Sequence, residues 1–385
     1  MHQPIHWPMA SSLMLLTYPY RPDPRVYREA RALIRHGFEV QLIAWDREGG
    51  RPAEAVEDGV RVIRLGPRCR YRSAVRVVGG LARFSLGALR TSRRLRFDLV
   101  HAHDFDTLPL GLLISRLRRV PLLYDAHELY SAMVARELGI FSRILWVFEK
   151  HMSMMADEII TVNETLASRL SEGRAKPARI VTNSPDTGVL DGVDPKQVRD
   201  RYGLRGFVVS YLGSLEPGRF VNELLGSMEP GAGVTLAIGG DGTLRPAVEK
   251  AASSNSKIKF LGTLDTDEAL RVTYASDLVV AMLDPGNPNY RTSTPVKVLD
   301  AMACGRPVVT TEGLEISDLL KRIGCAFVIP YDRQAFRETL ALAQADPKLL
   351  VAMGRKGKEH FEKELSWPRS RDELLKAYKA LAGGP

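Results

Sequence analysis

Cysteine is scarce in this chain: there are three in 385 residues, Cys69, Cys304 and Cys325. They stand far apart and at no metal-ligand spacing, which argues against a disulfide framework and against a structural zinc site. Long apolar runs are also missing, and none approaches the roughly 20 residues of a membrane-spanning helix. Met1 to Ala10 has neither the basic start nor the apolar stretch of a signal peptide. The expectation is a cytoplasmic protein whose contact with a membrane, if it makes one, is peripheral and on the inner face. The loop after the first apolar strand lacks Gly-x-Gly-x-x-Gly, so a dinucleotide site has no support there. Neither a short-period repeat nor a low-complexity tract occurs.

What is present fits a soluble globular chain, with 45% hydrophobic and 26% charged residues. Its length suits two α/β domains. The formal charge of +9 suits anionic small molecules, a phospholipid surface or nucleic acid, and does not choose among them. From Gly59 to Phe97 there is no acidic residue, while Arg70, Arg72, Arg76, Arg83, Arg90, Arg93, Arg94 and Arg96 interleave with Leu81, Phe84, Leu86 and Leu89. The segment 70–96 thus reads as a basic amphipathic helix that suits an anionic membrane surface. A solvated face of an arginine-rich domain explains the same pattern. No nucleic-acid-binding motif accompanies the charge, so nucleic acid is not an expected partner.

The chain alternates short apolar runs with helical periodicity. Leu13 to Leu16 runs into the turn-rich loop Thr17 to Arg25, a helix follows from Val26 to His36, and Phe38 to Trp45 is the next strand. That order is a βαβ unit, which implies a parallel sheet with ligands at the carboxyl ends of its strands. Phe97 to His103 ends in Asp104-Phe-Asp106, and Val120 to Tyr124 delivers Asp125-Ala-His-Glu128. His101, His103, Asp104, Asp106, His127 and Glu128 are therefore expected at one sheet edge. Two His at alternate positions also suit zinc. A hydrolase of that kind needs a barrel and further ligands, which the second half of the chain does not offer.

A second α/β series begins at Phe207 and carries Gly213 to Arg219, then Gly239-Gly-Asp-Gly242. Late in it, Ser293 or Thr294 reads as the cap of a helix with Pro295 at its first position. Val296, Leu299 and Ala303 lie at the spacing of a buried stripe, Lys297 and Asp300 share another face, and Gly305 stops the helix. A helix N-terminus with a Lys and a carboxylate a turn later suits a diphosphate and a sugar hydroxyl. An ordinary amphipathic helix explains the same residues. The expected division is 1–188, a connection 189–205, and 206–367, with a final helix 368–385 returning to the first domain.

In this order and spacing, several segments resemble the retaining glycosyltransferases of family 4 (group 1). They are Phe97 to His103, Tyr124 to Glu128, Ala156 to Val162, Gly213 to Arg219, Gly240 to Gly242 and Pro295 to Val309. The resemblance spans essentially the whole chain. It implies the GT-B fold: two Rossmann-like doubly wound α/β domains facing across a cleft, the second binding a nucleoside-diphosphate sugar. It implies catalytic roles for His127, Arg219 and Lys297. Ser214, Gly240, Gly242, Leu264, Thr294, Pro295, Val296 and Asp300 would hold the donor, and Asp23, Arg25, His103, Asp104 and Glu128 would lie on the acceptor side. No metal or other cofactor is implied; the partners are the donor and a glycan, lipid-linked or small-molecule acceptor. Three departures stand out: Thr292 and Asp300 where the family commonly has two glutamates, Ser214 where it has arginine, and Pro22-Asp-Pro-Arg25 in place of a glycine-rich loop. A nucleotide-sugar epimerase on the same fold and a non-catalytic nucleotide-sugar-binding protein are the alternatives.

Overall fold

The computed structural model describes residues 10–20, 24–69, 74–133, 139, 141–228 and 233–383. The chain divides into two compact units, residues 1–182 with 370–385 and residues 183–369.

The first unit is built on an eight-stranded sheet. Its strands are β1 (Ser11–Leu16), β2 (Glu39–Trp45), β3 (Glu54–Glu57), β4 (Val60–Leu65), β5 (Leu99–His103), β6 (Leu122–Ala126), β7 (Glu158–Thr161) and β8 (Arg179–Ile180), in the order β3-β4-β2-β1-β5-β6-β7-β8. β3 runs antiparallel to β4, and the other pairings are parallel. Near-continuous apolar runs suit strands covered on both faces. Period-two alternation sorts them: Leu13, Leu15, Ile43, Trp45, Val100 and Ala102 face one core, and Met14, Leu16, Leu42, Ala44, Leu99 and Leu123 face the other. Helices α2 (Ala74–Ser92) and α3 (Leu108–Arg118) bury Phe84, Ala88, Leu110 and Ile114 in the first core. Helix α1 (Pro24–Arg35) and the C-terminal helix Trp367–Ala382 close the second with Val26, Ala30, Leu33, Leu374 and Tyr378.

The second unit carries β9 (Phe207–Leu212), β10 (Val234–Gly239), β11 (Ile258–Phe260), β12 (Leu278–Ala281), β13 (Val308–Thr311) and β14 (Ala326–Ile329), in the order β11-β10-β9-β12-β13-β14 with parallel pairings. The order reverses between β9 and β12, and such a switch point opens a crevice at the strands' carboxyl ends. In the first sheet the corresponding reversal lies between β1 and β5.

Residues 189–205, expected as a connection, instead contain the helix Pro195–Tyr202. Asp194 caps it by accepting from the Lys196 amide, and Gly203 ends it at φ 63°. Val198 and Leu204 pack with Ala237, Val272 and Ala275, which makes this segment a wall of the second unit. Among the described residues, no helix is long and apolar enough to cross a membrane.

Candidate functional site

Two polar clusters occupy the two switch points. In the first unit, the pleat that turns Leu99 toward α1 also turns His101 and His103 there, and the register pairs His103 with Asp125. Both histidines and Asp125 are wholly buried. Arg25, on α1, holds this carboxylate with two hydrogen bonds, Nη2 to Oδ1 at 2.6 Å and Nε to Oδ2 at 3.0 Å, and its Nη1 donates to the Val181 carbonyl at 2.6 Å. One turn along α1, Glu29 Oε1 lies 3.1 Å from Arg25 Nε. Burial works against every charge here. Asp125 and Glu29 outweigh it at Arg25 and raise that group. Arg25 and His127 outweigh it at Asp125, whose carboxyl is held well below the usual range. At Glu29 burial prevails over Arg25 and lifts the carboxyl to about 7.

His127 follows β6. Its Nε2 lies 2.8 Å from Asp125 Oδ2, and its Nδ1 lies 3.2 Å from Asp104 Oδ2. Its backbone N–H donates to Asp104 Oδ1 at 3.1 Å. Burial lowers the basicity of the ring, but Asp104 and Asp125 together raise it well above the usual value. Asp104 itself is held at φ 62°, a left-handed conformation that costs a non-glycine residue about 1 kcal/mol. Such strain persists where surrounding bonds enforce it. Here Asp104 donates its N–H to the Asp125 carbonyl at 2.9 Å. Next to it, burial and then Asp104 lift the Asp106 carboxyl to about 7, and the Thr17 hydroxyl at the end of β1 donates to it.

Glu29, His101, His103 and Asp125 bring ligand atoms within 4.8 Å of one another, close enough for a shared cation. The residues do not fit one: Arg25 already pairs with both carboxylates, so the negative charge a cation needs is neutralised.

In the second unit, the loops after β9 and β10 are zipped together. The Gly213 N–H donates to the Gly239 carbonyl and the Leu215 N–H to the Asp241 carbonyl, both at 2.9 Å. A Cβ built on Gly240, at φ 141°, would stand 1.8 Å from the Gly213 carbonyl oxygen, so glycine is needed at that approach. Arg219 ends the first of these loops beside Phe220, which is fully buried, held at φ 61°, and anchored by its N–H to the Tyr331 hydroxyl at 2.9 Å. The Arg219 guanidinium lies 5.2 Å from the centre of the Tyr290 ring. Its Nε is buried without a hydrogen-bond partner among the described residues.

The helix Val296–Ala303 enters the same corner. Lys297 Nζ sits 3.4 Å above the Tyr211 ring, and the lysine carbons approach Gly213. Desolvation and then Arg219 push the Lys297 ammonium well below the usual lysine value, with Asp300 acting in the opposite sense. The cap differs from expectation. Pro295, with extended ψ of 132°, is itself the cap and offers no side-chain oxygen. Ser293 is turned back, its hydroxyl donating to the Asn289 carbonyl at 2.6 Å. Pro295 thus offers the first amides of this helix no capping side chain of its own, which suits an anion site.

Several expected site residues share the second corner: Ser214, whose carbonyl accepts from the Tyr211 hydroxyl at 2.7 Å, with Arg219, Gly240, Gly242, Val296, Lys297 and Asp300. Thr294 and Pro295 lead into the helix. Leu264 is partly buried against the cluster of Val198, Leu204, Val208, Ala237, Val272 and Ala275. In the first unit, Asp104, His127 and the exposed Glu128 meet at the end of β5 and β6. Two expected acceptor-side residues are corrected. His103 is fully buried with Nδ1 3.2 Å from Asp125, and Arg25 is spent on Asp125 and Glu29, so neither is free to touch an acceptor. Asp23 lies outside the described residues. Sequence reasoning missed Asp125, Glu29, Tyr378, Tyr211 and Tyr290. Period-two reading of Leu123 and Asp125 with Leu99 and His103 was the available signal for Asp125.

The family profile described as "Glycosyl transferase 4-like domain" matches residues 22–186, and that described as "Glycosyl transferases group 1" matches residues 207–346. The chain belongs to the group 1 glycosyltransferases. Among curated members, it is 26% identical over 389 residues to the D-inositol 3-phosphate glycosyltransferase of Corynebacterium efficiens, covering 90% of this chain and 87% of that one. It is 28% identical over 382 residues to the protein of that name from Mycobacteroides abscessus, covering 92% and 83%. Sucrose-phosphate synthase from Thermosynechococcus elongatus has the same fold, with a TM-score of 0.77 at 19% identity over 97% of this chain and 99% of that one. So does Anabaena HepE, solved with UDP-glucose, with a TM-score of 0.70 at 16% identity over 96% and 100%. This group 1 glycosyltransferase therefore has the GT-B fold, with one doubly wound sheet in each unit.

Proposed function

We propose that the chain transfers a sugar, with retention and without a metal, from a nucleoside-diphosphate sugar to a hydroxyl acceptor. The observation that carries this is the corner of the second unit in which Lys297, Arg219 and the helix N-terminus after Pro295 meet at the switch point. Breaking the bond between the sugar and the diphosphate leaves negative charge on the departing oxygen. Fixed cations and amides aimed at that charge are the main means of lowering the barrier. Arg219 and Lys297 serve the diphosphate, Asp300 the ribose hydroxyls, and His127 of the first unit the reacting sugar. The acceptor oxygen bonds to the anomeric carbon as the phosphate oxygen leaves from the same face, and the acceptor's proton passes to that departing oxygen.

Crowding Lys297 against Arg219 and a ring makes sense for a site that waits for an anion. The diphosphate favours the charged lysine and lifts it back toward the ordinary lysine value, so binding weakens as pH rises above the depressed value of the free protein. Thermal-shift measurements against nucleoside diphosphates, their sugars and free inositol phosphate test the assignment. A nucleoside diphosphate at about a hundred times its Kd adds about 2.7 kcal/mol. The expected result is a rise in melting temperature with one such nucleotide in the presence of a chelator; no rise with any of them contradicts it. The phosphorylated cyclitol in the curated relatives' name is one acceptor to include.

A specific observation favours contact with an anionic membrane. Helices α2, α3 and Phe141–Ser153 contact one another in sequence along one face of the first sheet. Their sole acidic residue, Glu149, is fully buried. Val78, Leu86, Leu117, Ile144, Val147 and Phe148 are exposed among arginines. Each arginine near an anionic surface contributes about 1 kcal/mol. This extends the 70–96 segment to three helices, and a lipid-linked acceptor would be met there. Co-sedimentation with vesicles containing phosphatidylglycerol is expected at low salt and is lost in Val147→Asp/Phe148→Asp; equal recovery with neutral vesicles contradicts it.

A further inference from the structure

The buried cluster of the first unit does more than fill space. His127 has a carboxylate at each ring nitrogen: Asp125 Oδ2 at 2.8 Å from Nε2 and Asp104 Oδ2 at 3.2 Å from Nδ1. A neutral imidazole carries one N–H, so it satisfies one carboxylate and turns a lone pair on the other; an imidazolium donates to both. The alternative is a protonated carboxyl as one of the partners. Asp125 does not offer that, because Arg25 binds both of its oxygens and His103 Nδ1 also lies 3.2 Å from Oδ2. Asp104 has one oxygen on the His127 backbone N–H and the other on its ring.

We propose that Asp125, locked by Arg25 and His103, is a positioning residue that with Asp104 clamps His127 between two carboxylates as a fixed imidazolium, unable to serve as a base. The clamp stands on the geometry of this unit alone; its bearing on sugar transfer rests on the role proposed above for His127. It accounts for the strained turn at Asp104, which brings that side chain back onto both the N–H and the ring of His127. It also assigns a role to the last helix of the chain. The His101 ring lies against that of His103, with centres 4.0 Å apart and planes tilted by 31°, and its Nδ1 lies 2.9 Å from the Tyr378 hydroxyl, so the C-terminal helix props the layer that holds Asp125. A ring whose two N–H groups are both engaged has no site for an acceptor's proton, which is left to the departing phosphate.

Asp104 and Asp125 set the charge of His127, and the other titratable groups around these three come from every neighbouring element. They are Arg25 and Glu29 on α1, Arg47 after β2, His101 and His103 on β5, Asp106 in the following loop, Tyr124 on β6, and Tyr378 on the last helix. Glu149 acts on Tyr124 from the helix Phe141–Ser153.

Long-range proton–nitrogen NMR of the imidazole rings tests this on the full chain, with the His127→Gln spectrum assigning the signal among the eight histidines. Both nitrogens of His127 are expected at the imidazolium position at about pH 8, well above the ordinary histidine midpoint of about 6.5. Asp104→Asn alters a partly exposed side chain and leaves the Arg25 pair intact, so the fold is kept. In it the midpoint is expected to fall by about one unit or more while staying above 6.5, because Asp125 still holds Nε2. A neutral tautomer in the wild-type protein at about pH 7, an unmoved midpoint in Asp104→Asn, or a fall all the way to about 6.5 would each overturn the clamp. None of these readouts depends on turnover, so they fail separately from the glycosyltransferase mechanism, which inactivity of the wild type with every donor would sink.

Discussion

Replacing Arg219 or Lys297 with alanine lowers kcat/KM for sugar transfer by about two to three orders of magnitude each. Both cations answer charge that grows as the diphosphate departs, so the loss falls on kcat as well as on KM. The two substitutions act on one phosphate group and are expected to be less than additive together. The fold should persist, because neither side chain belongs to the apolar core of the second unit. Steady-state rates with the donor identified by thermal shift, together with melting curves of both variants, provide the check. Near-normal rates in both, with binding retained, would contradict the role given to this corner.

Asp125→Ala destabilises the first unit by about 3 to 5 kcal/mol. Removing one partner of a buried pair leaves the Arg25 guanidinium with its second carboxylate, Glu29, which binding to Arg25 would then draw into its ionised form. That response offsets part of the cost and places the effect nearer the lower figure. The melting transition of this unit should fall by about 10 °C. A drop of a degree or two would mean that Asp125 is not what holds the cluster together.

Most of the architecture was legible in the sequence because the signals are local. Strands of Val, Ile and Leu that end in polar residues, with helices between, imply parallel sheets and sites at the strand ends. The helix Val296–Ala303 and its Lys297 and Asp300 were found in the same way. What escaped depended on which face of a sheet a residue takes and on partners far along the chain. His103 looked like a residue at the mouth of a site, yet it shares the pleat with Leu99 and His101 and so faces α1. Arg25 looked like part of a binding loop. It belongs to the first turn of α1, and its partner Asp125 lies 100 residues away. Tyr378 reaches His101 across 277 residues, and no local pattern announces such a contact. The helix cap failed for a local reason: Pro295 takes extended backbone, which places it before the helix and leaves Ser293 to close the preceding turn Pro288–Thr292.

The departures from the family's usual residues keep the charge balance of the corner proposed for the donor. Asp300, one methylene shorter than glutamate, still opposes the depression of Lys297, and Arg219 remains the second cation where Ser214 replaces arginine. The tyrosine ring beneath Lys297 and the one beside Arg219 hold both side chains in place before an anion arrives. Such preorganisation removes reorganisation cost from the reacting complex.

Isothermal titration of the nucleoside diphosphate in a chelating buffer tests the central claim most directly, with the wild-type protein set beside Arg219→Ala and Lys297→Ala. Saturable metal-free binding is predicted, with affinity that falls in both variants and a weakening at rising pH that is reduced in Lys297→Ala. Binding that requires a divalent cation, or that is indifferent to both substitutions, would contradict a diphosphate cradle built from this chain's own cations and helix N-terminus.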